Sequence, residues 1–369
     1  MQIKNLIPKE GITKLKDLHE KYQIYLPAAF FSLGFIIDIF TLGEIDDLSN
    51  ILMQAFYLTF GAFVLGVEYL EITEVHIQNS FLKKIFKYRD DIFHFLLGSL
   101  LSAFTLFYFK SSSFANSFIF LSLIAALLVL NEVELFQKLG SLIRTVLFTL
   151  CFVTYLIYII PVLFGQSGTF IFFISTSLAI VFASLTFLLM NKKNQDRSKN
   201  LKNLFLPQIS VVAVVIMFYL FKIFPPIPLS IKSISIYHDL KKENGTYITS
   251  HLNPWWKFWN KGDQNFDARS ADKVVVFTEI FSPAGFKGKI YLNWLKETSG
   301  GLVSSDKIPL KITGGRSGGF RGFAYKQNYT YGDWQIRVET ENGLEIGRIK
   351  FEINKDVSQH KRSFIKIVH

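Results

Sequence analysis

Residues 334–353 read WQIRVETENGLEIGRIKFEI, and the period of their apolar positions decides the fold of this part of the chain. Trp334, Ile336 and Val338 alternate with Gln335, Arg337 and Glu339. Beyond Asn342-Gly343, the residues Ile349, Phe351 and Ile353 alternate with Arg348, Lys350 and Glu352. A period of two sets all the apolar side chains on one face of an extended strand. An Asn-Gly pair between two such runs predicts a two-residue hairpin turn, since both residues tolerate positive φ. The stretch is therefore read as two antiparallel strands with one apolar face and one wet face.

The same pattern spreads outward over 233–238, 274–280, 288–295, 307–313 and 319–326, giving about seven short strands with turn signals between them. This spacing favours an all-β sandwich of immunoglobulin-like size, with a small barrel as the alternative. We place its core at 273–354, an aromatic-rich connecting segment at 230–272 and a basic tail at 355–369. Between two of the strands lies GGRSGGFRGFAYK (314–326), which contains a G-x-S-x-G match at Ser317. A nucleophile elbow needs a helix after the serine and a partnered histidine. Here Phe320, Phe323 and Tyr325 continue a strand, so the glycines are read as a turn whose backbone, flanked by Arg316 and Arg321, has room for an anion.

The first 230 positions are of another kind. Half of the 369 residues are hydrophobic, 39 of them Phe, and the apolar ones concentrate in stretches at 24–43, 49–69, 92–109, 113–131, 143–164, 168–190 and 204–224. Each approaches the roughly 20 helical residues that cross a bilayer core. The fold class expected is a membrane all-α bundle of about seven transmembrane helices followed by the β-sandwich, with an amphipathic N-terminal segment at 1–23 ahead of it. Residues 71–90 set Ile72, Val75, Leu82, Ile85 and Phe86 against Lys83, Lys84, Lys87 and Arg89, the pattern of a helix lying in the membrane interface.

Charge sets the orientation. With the N-terminus inside, the inner segments carry Lys4 to Lys21, then Lys83 to Arg89, Lys138 and Arg144, and Lys192 to Lys202, whereas the opposite loops carry Lys110 alone. Positive charge stays in the cytoplasm, which predicts the inner membrane of a bacterium, a cytoplasmic N-terminus and a periplasmic C-terminal domain. The single Cys151 lies in an apolar span and makes no intrachain disulfide. The net charge of +11 suits anionic headgroups or acidic glycans better than nucleic acid, since the basic residues are dispersed over strands.

Ionisable residues at membrane depth are costly, so they are candidates for function. Asp38 precedes Glu44, Asp46 and Asp47, an acidic outward mouth that suits a cation or a partner. The alternative is a bond from Asp38 to a neighbouring span or water. Glu68, Glu71 and Glu74 with His76 have metal-like spacing, but no second carboxylate-histidine pair answers them, and no metal is expected. Lys222, before Pro225-Pro226, reads as a helix-end lysine. No GK[ST] or G-x-G-x-x-G motif occurs, so neither a nucleotide nor another cofactor is implied.

The runs VVVFTEIFSPAGFKGKIYLNWLK, KIPLKITGGRSGGFRGFAYKQ and YGDWQIRVETENGLEIGRIKFEI resemble, over about 273–353, the family called domain of unknown function 2914. The matching positions are Phe277-Thr278-Glu279-Ile280, Trp294, Arg316, Arg321, Lys326, Gly332 with Trp334, and Gly347 with Phe351. Where relatives often carry a histidine before the tryptophan, this chain has Leu292 and Asn293, and Tyr325 replaces a serine. The run from Asp38 to Asp46 is similar to the multi-span region that precedes the domain in bacterial members. The resemblance implies architecture and assigns no activity.

The candidate ligand or partner contacts are Arg316, Arg321, Lys326, Trp294 and Trp334. Trp255, Trp256 and Trp259, beside Lys257 and Lys261, suit the headgroup layer or a sugar face, or plug the sandwich core. Within the membrane the polar candidates are Asp38, Asp46 and Glu68. The preferred function is a non-enzymatic inner-membrane protein whose exported sandwich binds a partner protein or envelope component. The alternatives are a transporter or lipid-handling protein using Asp38, and an envelope enzyme acting on glycan or lipid with Asp38, Asp46 and Asp47 as bases. The oligomeric state is not legible.

Overall fold

A computed structural model of the chain describes residues 35–72, 80–111, 114–131, 140–193, 196–252, 262–313, 319–358 and 360–369. The N-terminal half is helical: α1 (Leu48–Ile72), α2 (Ser80–Lys87), α3 (Arg89–Lys110), α4 (Phe114–Asn131), α5 (Ser141–Phe164), α6 (Thr169–Lys193) and α7 (Arg197–Leu220). Five of these, α1, α3, α5, α6 and α7, are long and apolar enough to cross a membrane. The seven spans expected reduce to five among the described residues. The helix α4 offers only the shorter apolar run Ser117–Leu130. Of the first expected span, only its end, helical over 35–41, is described.

Local chemistry sets the helix ends. Asp90 and Asp91 occupy the first turn of α3 and Lys110 its last, each sign facing the end of the helix dipole that it favours. The helix α5 stops at Gly165, whose φ of 63° is the left-handed C-cap that a residue without Cβ takes at least cost. Phe56, Phe170, Leu188 and Leu189 are exposed on the outer surface of the bundle. Such apolar exposure is what a lipid environment accommodates.

The C-terminal half is all β. The sheet β4-β10-β9-β6-β7 comprises β4 (Asn265–Ala268), β6 (Lys287–Thr298), β7 (Gly301–Thr313), β9 (Gly332–Thr340) and β10 (Glu345–Lys355). It faces the sheet β1-β5-β8, made of β1 (Ser230–Tyr237), β5 (Val274–Phe281) and β8 (Phe320–Lys326). In the larger sheet Ile336 stands opposite both Trp294 and Ile349, and Val338 opposite Leu292. These side chains meet Ile236, Val276, Ile280 and Ala324 of the smaller sheet in one buried core, so the two sheets form a β-sandwich. The expected inner positions of the 334–353 hairpin are all there.

Two expectations about the β half are corrected. The Asn342-Gly343 turn is not a two-residue one. Thr340 N donates to Leu344 O at 2.9 Å and Gly343 N to Thr340 O at 3.0 Å; only Gly343 has positive φ, 74°. A three-residue loop of this kind needs one left-handed residue, and glycine supplies it. The two-residue turn occurs at Asn244-Gly245 instead, both with positive φ, where Glu243 pairs with Thr246. It joins β2 (Asp239–Glu243) to β3 (Thr246–His251).

The folded unit also extends beyond 273–354. The strands β1, β2, β3 and β4 come from the stretch read as a connecting segment, and β11 (Ile365–Val368) from the tail. A third sheet, β11-β3-β2, packs Tyr247, Leu240 and Ile367 on Tyr237, Val275 and Phe277. The tail is clamped by Arg362, which donates to Asp272 at 2.6 Å and to Asp356 at 2.9 Å. Under this clamp the His238 ring stacks on Phe266 with centroids 4.0 Å apart.

Candidate functional site

The acidic mouth is where the two halves join. The carboxylate of Asp38 accepts a hydrogen bond from the hydroxyl of Ser102 on α3, which is the span-to-span contact given above as the alternative to a cation. Asp47 accepts from the Glu44 amide at 2.9 Å and begins α1. Asp46 accepts from the Ala284 amide at 3.0 Å, and Glu44 pairs with Lys232 at 3.0 Å. Ala284 and Lys232 belong to the β domain, so two of the four acids of the mouth hold a domain of the same chain.

Further contacts widen this junction. The carbonyl of Gly165 at the end of α5 accepts from the Lys287 amide at 2.9 Å. A Cβ on Gly165 would lie 2.7 Å from the carbonyl oxygen of Gly285, so the approach of the two backbones depends on glycine. From the β9–β10 loop Asn342 donates to the Tyr219 hydroxyl at 3.2 Å, which donates to Thr169 at 3.1 Å. Phe281 and Leu344 of the β domain are part of the buried bundle core. A small cleft lies here between Ile157, Pro161, Ser167, Tyr219, Asn342 and Leu344. Pro161 has no N–H, so it leaves the Ile157 carbonyl without its usual helical donor.

At the opposite end of the bundle the buried Glu68 of α1 meets Arg144 of α5. The Arg144 Nε donates to Glu68 at 3.0 Å, a second guanidinium nitrogen donates to the other carboxylate oxygen, and Nη1 reaches Asp90 at 2.8 Å. Arg89 stands 3.7 Å from Glu68. Next to this group the Tyr69 hydroxyl donates to the carbonyl of Asn203 at 2.6 Å. That carbonyl is four residues before Pro207, which has no N–H to offer it, and the helix widens there into a π turn over Leu201–Phe205.

Arg144 was missed in the sequence because it was counted among the inner loop charges. It is in fact 8% exposed and lies within the helix. A guanidinium at the fourth position of one apolar helix, with a Glu four residues before the end of another, was the available signal. Glu74 and His76 lie outside the described residues. Lys222 sits just past α7 with positive φ, and its ammonium approaches Gly343 of the junction.

Of the residues expected to form a ligand site in the sandwich, Trp294, Trp334, Arg321 and Lys326 are described, and Lys326 lies beside the Trp334 ring. Trp294 is a fully buried core side chain and Trp334 is nearly so. Arg321 faces Glu279 at 3.4 Å. Lys326 pairs with Asp306, holding that carboxyl below its ordinary range, and stands 5.5 Å from the Trp334 ring, with Lys296 5.3 Å from the same ring. Trp334, Lys326 and Lys296 thus gather at one end of the sandwich, while Arg321 lies five residues back along β8. Arg316, Ser317, Trp255, Trp256 and Trp259 lie outside the described residues.

Among solved structures the chain is similar to an immunoglobulin-like protein from Pseudomonas aeruginosa, at 11% identity and a TM-score of 0.20, over 32% of this chain and 96% of that one. It is also similar to the alkylpurine DNA glycosylase AlkC of Pseudomonas fluorescens, at 10% identity and a TM-score of 0.17, over 84% and 98%. Scores this low carry no argument for either fold or activity. No curated protein matches the chain. Residues 287–353 match the family described as "Protein of unknown function (DUF2914)", starting later than the resemblance noted from about 273, so the β domain carries a DUF2914 segment behind a membrane-helix region.

Proposed function

We propose that this is a non-enzymatic integral protein of a bacterial inner membrane, with a cytoplasmic N-terminus and a periplasmic β domain that binds a partner protein or envelope component. One observation carries the reading. The β domain is fastened to the bundle end bearing Glu44, Asp46 and Gly165, whereas Lys83, Lys84 and Lys87 and, across the bundle, Lys192 and Lys193 belong to the other end. Positive charge is retained in the cytoplasm, which favours export of the domain. The acids that suggested transport or catalysis are engaged, Asp38 by Ser102 and Asp46 by Ala284, which supports presentation of the domain over chemistry in the membrane.

The test is photo-crosslinking in intact cells from Tyr331, exposed on the β domain, with a second probe at the lipid-facing Phe56. A discrete protein or glycan adduct from Tyr331 and not from Phe56 is the expected result. Capture of phospholipid alone from both positions would sink the proposal.

A further inference from the structure

The strand β9 begins at Gly332 and ends at Thr340 beside the bundle, so its first residues lie about 26 Å from the junction at about 3.3 Å per residue. At this membrane-distal end the outer face of the large sheet carries a row of like charges. Glu352 stands directly opposite Asp333. Glu297 follows Lys296, which stands opposite Trp334, so Glu297 continues the row on β6. Carboxylates facing one another across strands repel. None of the three has an ion-pair partner among the described residues, and all three are exposed. This acidic row stands on a segment that, from Ser230 onward, has 22 basic and 14 acidic residues, a net charge of 22 − 14 = +8.

Beneath the row is a second, independent feature. Gln335 is 1% exposed, and neither the oxygen nor the nitrogen of its amide has a partner among the described residues. A buried amide left without bonds is costly, and here it belongs to the wall of a cleft. The cleft, of about 240 Å³, is lined by Gln335, Asp333, Glu297, Glu352, Lys350 and Asn265. That is several times the roughly 30 Å³ of a water.

We propose that this cleft is a binding site for an organic cation, an ammonium or guanidinium group, whose charge offsets the carboxylate row and whose hydrogens reach the Gln335 oxygen. Its two sources are a Lys or Arg side chain of a partner and a free polyamine. The inference rests on the reading that the β domain is a binding module, and names the chemistry that it recognises. No group of three or more His, Cys, Asp or Glu side chains placed to hold a metal ion occurs among the described residues, which favours an organic cation over a metal.

The experiment uses the full chain in neutral-lipid nanodiscs, titrated by calorimetry with an acetylated, amidated tri-arginine peptide, with spermidine and with calcium. Binding of the peptide or of spermidine is expected, and the stronger of the two identifies the source. It weakens with added salt and falls about tenfold or more in the Asp333→Asn/Glu352→Gln variant, as expected when exposed ion pairs are lost. Gln335→Leu weakens binding without changing its salt dependence. Because the substitutions in the acidic row relieve repulsion at exposed positions, the variant stays folded, as its melting curve will show. No binding of either organic cation, equal binding by the variant, or binding of calcium alone overturns the site. A Tyr331 adduct that persists in the Asp333→Asn/Glu352→Gln variant removes this site and leaves the binding-module reading standing.

Discussion

Replacing Arg144 by methionine removes the cation that holds α1, α3 and α5 together at the end of the bundle away from the β domain. The loss is set by what remains around Glu68, which is 2% exposed and surrenders two hydrogen bonds from the guanidinium. Charge-assisted bonds are worth about 1.5–3 kcal/mol each, which brackets the loss at about 3–6 kcal/mol. Arg89, already 3.7 Å from Glu68, closes in and recovers part of it, so the expected destabilisation is about 3 kcal/mol. Asp90 is more than half exposed and returns to water at little cost. The Glu68→Met/Arg144→Met double variant strands no charge and regains stability to within about 1 kcal/mol of the parent, since a buried ion pair replaced by apolar groups of similar size is often neutral. Unfolding of the full chain in mixed micelles by SDS, run as a double-mutant cycle, measures both values. A double variant as unstable as Arg144→Met alone would refute the reasoning, because the damage would then come from packing and not from an uncompensated carboxylate.

Two further outcomes test other parts of the fold. Gly165→Ala places a Cβ 2.7 Å from the Gly285 oxygen at a φ that costs a residue with Cβ about 1–2 kcal/mol; the junction opens, and the Lys287 amide exchanges hydrogen faster while amides of the sandwich core do not, so unchanged exchange at Lys287 counts against the docking described. Burial, and then the charge of Arg362, hold His238 down to about 4 from an ordinary 6.5. The unfolded chain therefore binds a proton below about 6.5 that the folded chain refuses until about pH 4, and stability falls across that window by about 3 kcal/mol at about 1.4 kcal/mol per pH unit. His238→Gln flattens this part of the curve and leaves the further loss at lower pH, where carboxyls held low by partners, Asp356 among them, take up protons; an unchanged slope between pH 6.5 and 4 would exclude His238 as its source.

How much of this was legible follows from where each signal resides. Strands β5 to β10 and the β1 core were readable because Ile336, Val338, Ile349 and Phe351 repeat with a period that only one geometry satisfies. The strands β4 and β11 were not, since four-residue strands such as Asn265–Ala268 carry too few positions to show a period, and their pairing is set by partners distant in sequence. Asn244-Gly245 is a stronger turn than Asn342-Gly343, yet its flanks, Asp239–Glu243 above all, lack apolar alternation. In the bundle, hydropathy located the helices without saying which charges face inward. To a count of loop charges Arg144 is one more inner lysine or arginine, and only the packing of α1 against α5 shows that it is buried.

The same limit explains the acidic mouth, and it bears on how the two halves work together. Sequence locates Glu44, Asp46 and Asp47 at the end of a span, where a cation, water or a protein are equally good partners. What decides among them is the length of the β1 approach and the loop after β5, which bring Lys232 and the Ala284 amide within 3.0 Å of Glu44 and Asp46. The β domain is thus fixed at its proximal end by polar contacts and by the entry of Phe281 and Leu344 into the bundle core, while its carboxylate row stands free at the other end. The core of the sandwich is continuous from Trp334 to Val338 along β9, and such close-packed interiors compress little. The strands that carry Asp333 and Glu352, β9 and β10, run from that end into the Thr340–Leu344 loop, whose Asn342 bonds Tyr219 of the bundle, so the proposed site and one of the junction contacts lie on the same hairpin.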